Sequence, residues 1–89
     1  MGQTMWVEKI LRTGTGFAGR YGVAGALWTR GETFFAEAKV FTSSPEDTVQ
    51  TIRVEARGGH AAMTLLEEKI KEKFGDVKWL HWQDAAENS

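Results

Sequence analysis

The sequence predicts an α+β fold, a two-layer sandwich in which an antiparallel sheet of three to four strands carries helices on one face, in the order α-β-β-β-α-β. Three observations predict it. In "TVQTIRVEAR", residues 48–57, Ile52, Val54 and Ala56 alternate with Thr51, Arg53, Glu55 and Arg57, the period of a strand with one buried face. In "GGHAAMTLLEEKIKEKFG", residues 58–75, Met63, Leu66, Ile70 and Phe74 recur at spacings of three and four, the period of an amphipathic helix. Ahead of both, two alternating runs meet at Arg30-Gly31, as in a β-hairpin.

The elements follow in order. Residues 4–13, "TMWVEKILRT", mix apolar and charged side chains on both faces if extended, whereas a helix gathers Trp6, Val7, Ile10 and Leu11 on one face. Thr4 can cap such a helix, Glu8 and Arg12 stand four apart, and Gly14 suits the position just past its end, so a helix is the expectation. Gly16 to Gly22 then form a loop. "RYGVAGALWT" is the first strand, with Tyr21, Val23 and Leu27 on one face and Trp28 on the other. "ETFFAEAKVFT" returns with Phe34, Ala36, Ala38 and Val40 inward and Phe35, Glu37, Lys39 and Phe41 outward. "SSPED" is a turn containing the only proline, Pro45. After the strand and the long helix, in which Glu67 and Lys71 are positioned to pair, Gly75 stops the helix and "VKWLHW" makes a short last strand.

Length and composition bound the function. A chain of 89 residues holds one core, here residues 1–83 followed by a polar tail, 84–89. The 42% hydrophobic and 11% aromatic content is that of a packed domain rather than a disordered one. There is no cysteine, which excludes a disulfide framework and a thiolate metal site. No run is apolar enough for a membrane span and no leader is recognisable, so a cytoplasmic protein is expected. Residues 1–31 carry four cations against the single acid Glu8, leaving −4 for the remainder of a chain whose net charge is −1. That balance does not favour phosphate-dominated nucleic-acid binding.

Gly14, Gly16 and Gly19 spell G-x-G-x-x-G, and with Glu37 about twenty residues on, the stretch resembles a nucleotide-binding βαβ unit over about a quarter of the chain. Against it, the preceding segment has Glu8, Lys9 and Arg12 where a buried parallel strand belongs, and the following one has Gly22 and Gly25 where a helix belongs. The predicted order helix, three strands, helix over residues 4–74 resembles the topology of the double-stranded-RNA-binding domain. The second helix, however, begins "RGGHAAMT", with Ala61, Ala62 and Met63 where such domains place lysines, so that function is not carried over.

Catalytic, cofactor and metal sites are not expected. His60 and His81 are the only neutral-pH bases and lack ligand spacing, and Ser43 and Ser44 belong to a turn. The expected function is that of a small non-enzymatic protein-binding module, as a homodimer or as an accessory or inhibitory factor. Its contacts would be Phe35, Phe41, Arg53 and Arg57 on the outer sheet face, with Trp79 or Trp82 on the last strand. Trp79 and Trp82 stand an odd number of residues apart, which puts one ring on each face. The alternative is an RNA- or single-stranded-DNA-binding module using the same outer aromatics and arginines; a third reading is nucleotide binding at Gly14, Gly16 and Gly19.

Overall fold

Five strands and one helix make up the structure, a computed structural model that describes residues 8–84. In chain order they are β1 (Glu8–Ala18), β2 (Tyr21–Arg30), β3 (Thr33–Phe41), β4 (Thr48–Ala56), α1 (Gly59–Lys73) and β5 (Val77–Asp84), with a single 3-10 turn at Pro45–Asp47. All pairings are antiparallel, and the sheet order is β4-β3-β2-β1-β5. The architecture is α+β with helix on sheet, as expected, but the element order is β-β-β-β-α-β. The sheet therefore has one strand more than the upper expectation.

The difference lies in residues 8–18. The helix expected over 4–13 is strand from Glu8 onward, and residues 4–7 lie outside the described residues. Tertiary pairing overrides the local helical pattern, because β1 is hydrogen-bonded on both sides, to β2 and to β5. Its faces read as mixed because the register slips at Leu11: Ile10 opposes Trp28, while Arg12 opposes Leu27. A β-bulge of this kind moves every later side chain to the other face. Gly14 is accordingly no helix stop, and Gly16 to Gly22 no loop. The only break is the turn Gly19-Arg20, closed by the Ala18–Tyr21 pair, with Gly19 at φ 62°. The resemblance to the double-stranded-RNA-binding topology, which needs a first helix over this segment, falls with it.

The rest follows its periodicity. β2, β3 and β4 turn Val23, Leu27, Ala36, Ala38, Val40 and Ile52 toward α1, which answers with Ala62, Leu66 and Ile70. Ala36, Ala38 and Ala62 are small, so the helix settles close on the sheet, chiefly over β3 and β4. Met63, Phe74, Val54 and Phe34 are half-buried at the margin of this core, and the Tyr21 and Phe74 rings meet edge-on at 5.0 Å. The helix ends as expected, Phe74 donating its N–H to the Ile70 carbonyl and Gly75 taking φ 117°. The final strand runs through Asp84, so the expected tail, taken from residue 84, begins inside β5; residues 85–89 lie outside the described residues. No helix among the described residues is long and apolar enough to cross a membrane.

Candidate functional site

The two faces of the sheet are unlike. α1 covers the β3–β4 half of one face; among the described residues the opposite face carries no second layer. On that open face strand alternation and register set Ile10 from β1, Trp28 from β2, Phe35 and Glu37 from β3 and Arg53 from β4 toward one end, and Phe17 from β1 beside Phe41 from β3 toward the other. Ile10 is 56% and Phe17 51% exposed. Trp28 and Phe35, cross-strand partners, stack at 5.6 Å with planes 13° apart. Arg53 lies over the Trp28 ring at 5.3 Å and Arg30 over the Phe35 ring at 5.8 Å. Arg53 also donates to Glu37 Oε2, from Nη2 at 3.3 Å and Nε at 3.4 Å. Cation, ring, ring, cation and carboxylate thus form one continuous strip across β2, β3 and β4. The Phe41 ring lies against Gly22, where any Cβ would meet it.

Of the residues expected on this face, Phe35, Phe41 and Arg53 are there. Arg57 lies past the end of β4, beside Glu32 and Thr33 at the sheet's end. Trp79 and Trp82 are not on it. The expected division of these two rings between faces is overturned by a bulge: Thr15 opposes His81 but Gly16 opposes Trp79, which leaves Leu80 as an extra residue, 62% exposed. Both indoles therefore stand on the helix side, 4.7 Å apart at 58°.

Their floor is glycine. A Cβ at Gly14 would come within 2.5 Å of the Trp82 ring, and one at Gly25 within 2.8 Å of the Trp79 ring. Gly16 lies against the Lys78 carbonyl at the bulge, and Gly19 against the Phe74 carbonyl. The G-x-G-x-x-G spelling thus has a packing explanation: two strand positions beneath indoles or backbone, and one turn position with positive φ. A strand runs through Gly14 and Gly16, and no helix N-terminus follows to receive a phosphate.

Between these rings and α1 runs a groove of about 360 Å³ lined by Arg12, Leu27, Gly59, His60, Met63, Glu67 and Trp82. Arg12 lies over the Trp82 ring at 5.5 Å. Trp79 donates its Nε1–H to Glu67 Oε2 at 2.8 Å, tying β5 to the helix. Glu67 is therefore engaged across the groove rather than with Lys71, which pairs instead with Asp76 at 3.5 Å. Trp79→Phe keeps most of the ring but removes this charge-assisted hydrogen bond. Thermal or urea unfolding is expected to show a loss of about 1–2 kcal/mol, and Trp79→Phe on a Glu67→Ala background should cost much less.

Sequence reasoning missed Ile10, Phe17, and the Trp79–Glu67 link. The signal for Phe17 was present: Thr13-Gly14-Thr15-Gly16-Phe17-Ala18 alternates with period 2, small residues on one side and β-branched or aromatic ones on the other. Among the described residues no group of three or more His, Cys, Asp or Glu is arranged to hold a metal ion. No protein-family model, curated protein or solved structure matches the chain.

Proposed function

We propose that this chain is a protein-binding module, with no chemistry of its own, whose contact surface is the open sheet face. The observation that carries the proposal is the exposure of Ile10 and Phe17 on the same face as the Trp28–Phe35 stack. A sheet face bearing large apolar side chains toward both ends, with Lys39 between them and Arg53 and Glu55 on the β4 edge, has the mixed apolar and charged composition of a protein interface. Trp28, on the central strand β2, and Arg53, which lies over its ring, are residue types that dominate binding hot spots.

A protein is favoured over single-stranded nucleic acid by what the rings already touch. Stacking platforms for bases present free aromatic faces within a positive groove. Here Trp28 and Phe35 stack on each other and are covered by Arg53 and Arg30, while Glu37 and Glu55 place negative charge on the same face. Trp79 and Trp82, on the helix side, take no part.

The test is a comparison of variants. Immobilised chain is offered to cell extract, and retained proteins are identified after cross-linking. Ile10→Asp and Phe17→Asp, both at exposed positions, are expected to abolish retention, while Lys71→Glu on the solvent side of α1 leaves it intact. Retention of the same proteins by all three variants would overturn the assignment. So would a single-stranded oligonucleotide whose affinity falls steeply with salt and disappears in Phe17→Asp.

A further inference from the structure

The sheet has two edges, and they are treated differently. β5 is broken by the bulge at Leu80. β4 has its one irregularity near its start, where Phe41 opposes Thr48 but Val40 opposes Gln50; from Gln50 to Ala56 it is regular. This stretch contains neither proline nor a charge on its core-facing side, the devices that ordinarily blunt an edge. Its outward-facing charges are arranged symmetrically about Val54, with Arg53 on one side and Glu55 on the other. Glu55 has no ion-pair partner among the described residues, and the Arg53 side chain is 60% exposed.

From this we infer that β4 pairs antiparallel with β4 of a second copy of the chain, about a two-fold axis at Val54. Facing residues in an antiparallel pair share a sheet face, so their numbers must sum to an even value for the two layers to align. Centring on Arg53 or on Glu55 puts like charges opposite each other, which destabilises. Centring on Val54 sets Arg53 against the partner's Glu55 and Glu55 against the partner's Arg53, and Ile52 against the partner's Ala56 on the helix side. The result is one continuous sheet of ten strands with both helices on the same face.

The helices fit. α1 packs over β3 and β4, so pairing at the β4 edge sets the two helices side by side on one face of the joined sheet. The flank each helix presents there carries Ala61 and Leu65 together with the charged Lys69 and Glu72 at the same helical spacing. Glu67 and Met63 face the groove on the β5 side, which turns Ala61 and Leu65 toward β4; Leu65 is 38% exposed. This inference uses the edge and a second copy, and it does not depend on what the open face binds.

Charge reversal tests it. Sedimentation of the whole chain is expected to show a dimer. Arg53→Glu and Glu55→Arg, each of which sets like charges opposite one another twice, should each raise the dissociation constant on the order of tenfold. An equimolar mixture of the two variants should recover a heterodimer, because the carboxylate introduced in one copy then faces the guanidinium introduced in the other. Because the chain has no cysteine, Val54→Cys should oxidise to a covalent dimer across the axis. Facing Cα atoms about 4.5–5.5 Å apart suit a disulfide. Phe17→Asp should leave the mass unchanged, which separates this result from the open-face reading. A monomeric wild type at millimolar concentration, or folded variants whose mixture fails to associate, would overturn it.

Discussion

Leu66→Ala is expected to cost about 2–5 kcal/mol, the range for removing a fully buried leucine and leaving a cavity. The position is severe because the core is thin. Most of its residues are alanine or valine, and Leu66 and Ile70 are the two largest side chains with no exposed surface. They lie on α1 where it presses on Ala36, Ala38 and Val40, so closing the cavity would require the helix to sink onto a sheet that already approaches it closely. A domain of 89 residues has a stability of about 4–13 kcal/mol, so the loss is a large fraction of the whole. Calorimetry should record a midpoint lowered by roughly 10–30 °C. Leu65→Ala, one residue away on an exposed flank, should cost less than about 1 kcal/mol in the monomer. A similar loss at both positions would mean that the helix does not pack as described.

The contrast between Leu65 and Leu66 was readable in the sequence, since the helical spacing of Met63, Leu66, Ile70 and Phe74 defines the buried stripe. So was the assignment of Phe35, Phe41 and Arg53 to the open face, because β3 alternates without interruption against β2 and β4 is regular from Gln50 onward. What was not readable has one physical cause. Periodicity identifies a strand only while the register holds, and both misread segments carry a bulge. At Leu11 an extra residue mixes charged and apolar side chains on each face, imitating a helix; at Leu80 an extra residue brings Trp79 and Trp82 onto one face despite their odd spacing. Neither extra residue is a glycine or proline that would announce it. The open face was therefore half legible: its β2, β3 and β4 residues were assigned correctly, and its most exposed apolar members, Ile10 and Phe17, belong to the misread strand. The proposed protein-binding role rests on the surface composition and not on any motif.

Gly16→Ala is expected to cost about 1–3 kcal/mol, an unusual penalty for adding one methyl group. Glycine in a strand ordinarily weakens it, so alanine should stabilise wherever there is room. At Gly16 there is none: the new Cβ would meet the Lys78 carbonyl and stand 2.8 Å from the Trp79 Cα, and both obstacles are backbone. A side chain can rotate away; a paired strand has to move. β5 is an edge strand held by β1 alone within the sheet, so it is the element that yields. Its displacement would lengthen the 2.8 Å Trp79–Glu67 hydrogen bond and part the two indoles. The readout is thus specific: near-ultraviolet circular dichroism should lose the signal of the Trp79–Trp82 pair while far-ultraviolet helix signal persists. Gly14→Ala should act similarly through the Trp82 ring and the His81 carbonyl at 2.7 Å. Gly58→Ser provides the comparison, at the N-cap of α1 with nothing within 4 Å of its added Cβ. There a serine oxygen can accept from the helix's first free N–H groups, so stability should hold or rise by a few tenths of a kcal/mol. If Gly16→Ala proved as harmless as Gly58→Ser, the close approach of β5 to β1 would be wrong. With it would go the packing explanation of the G-x-G-x-x-G spelling.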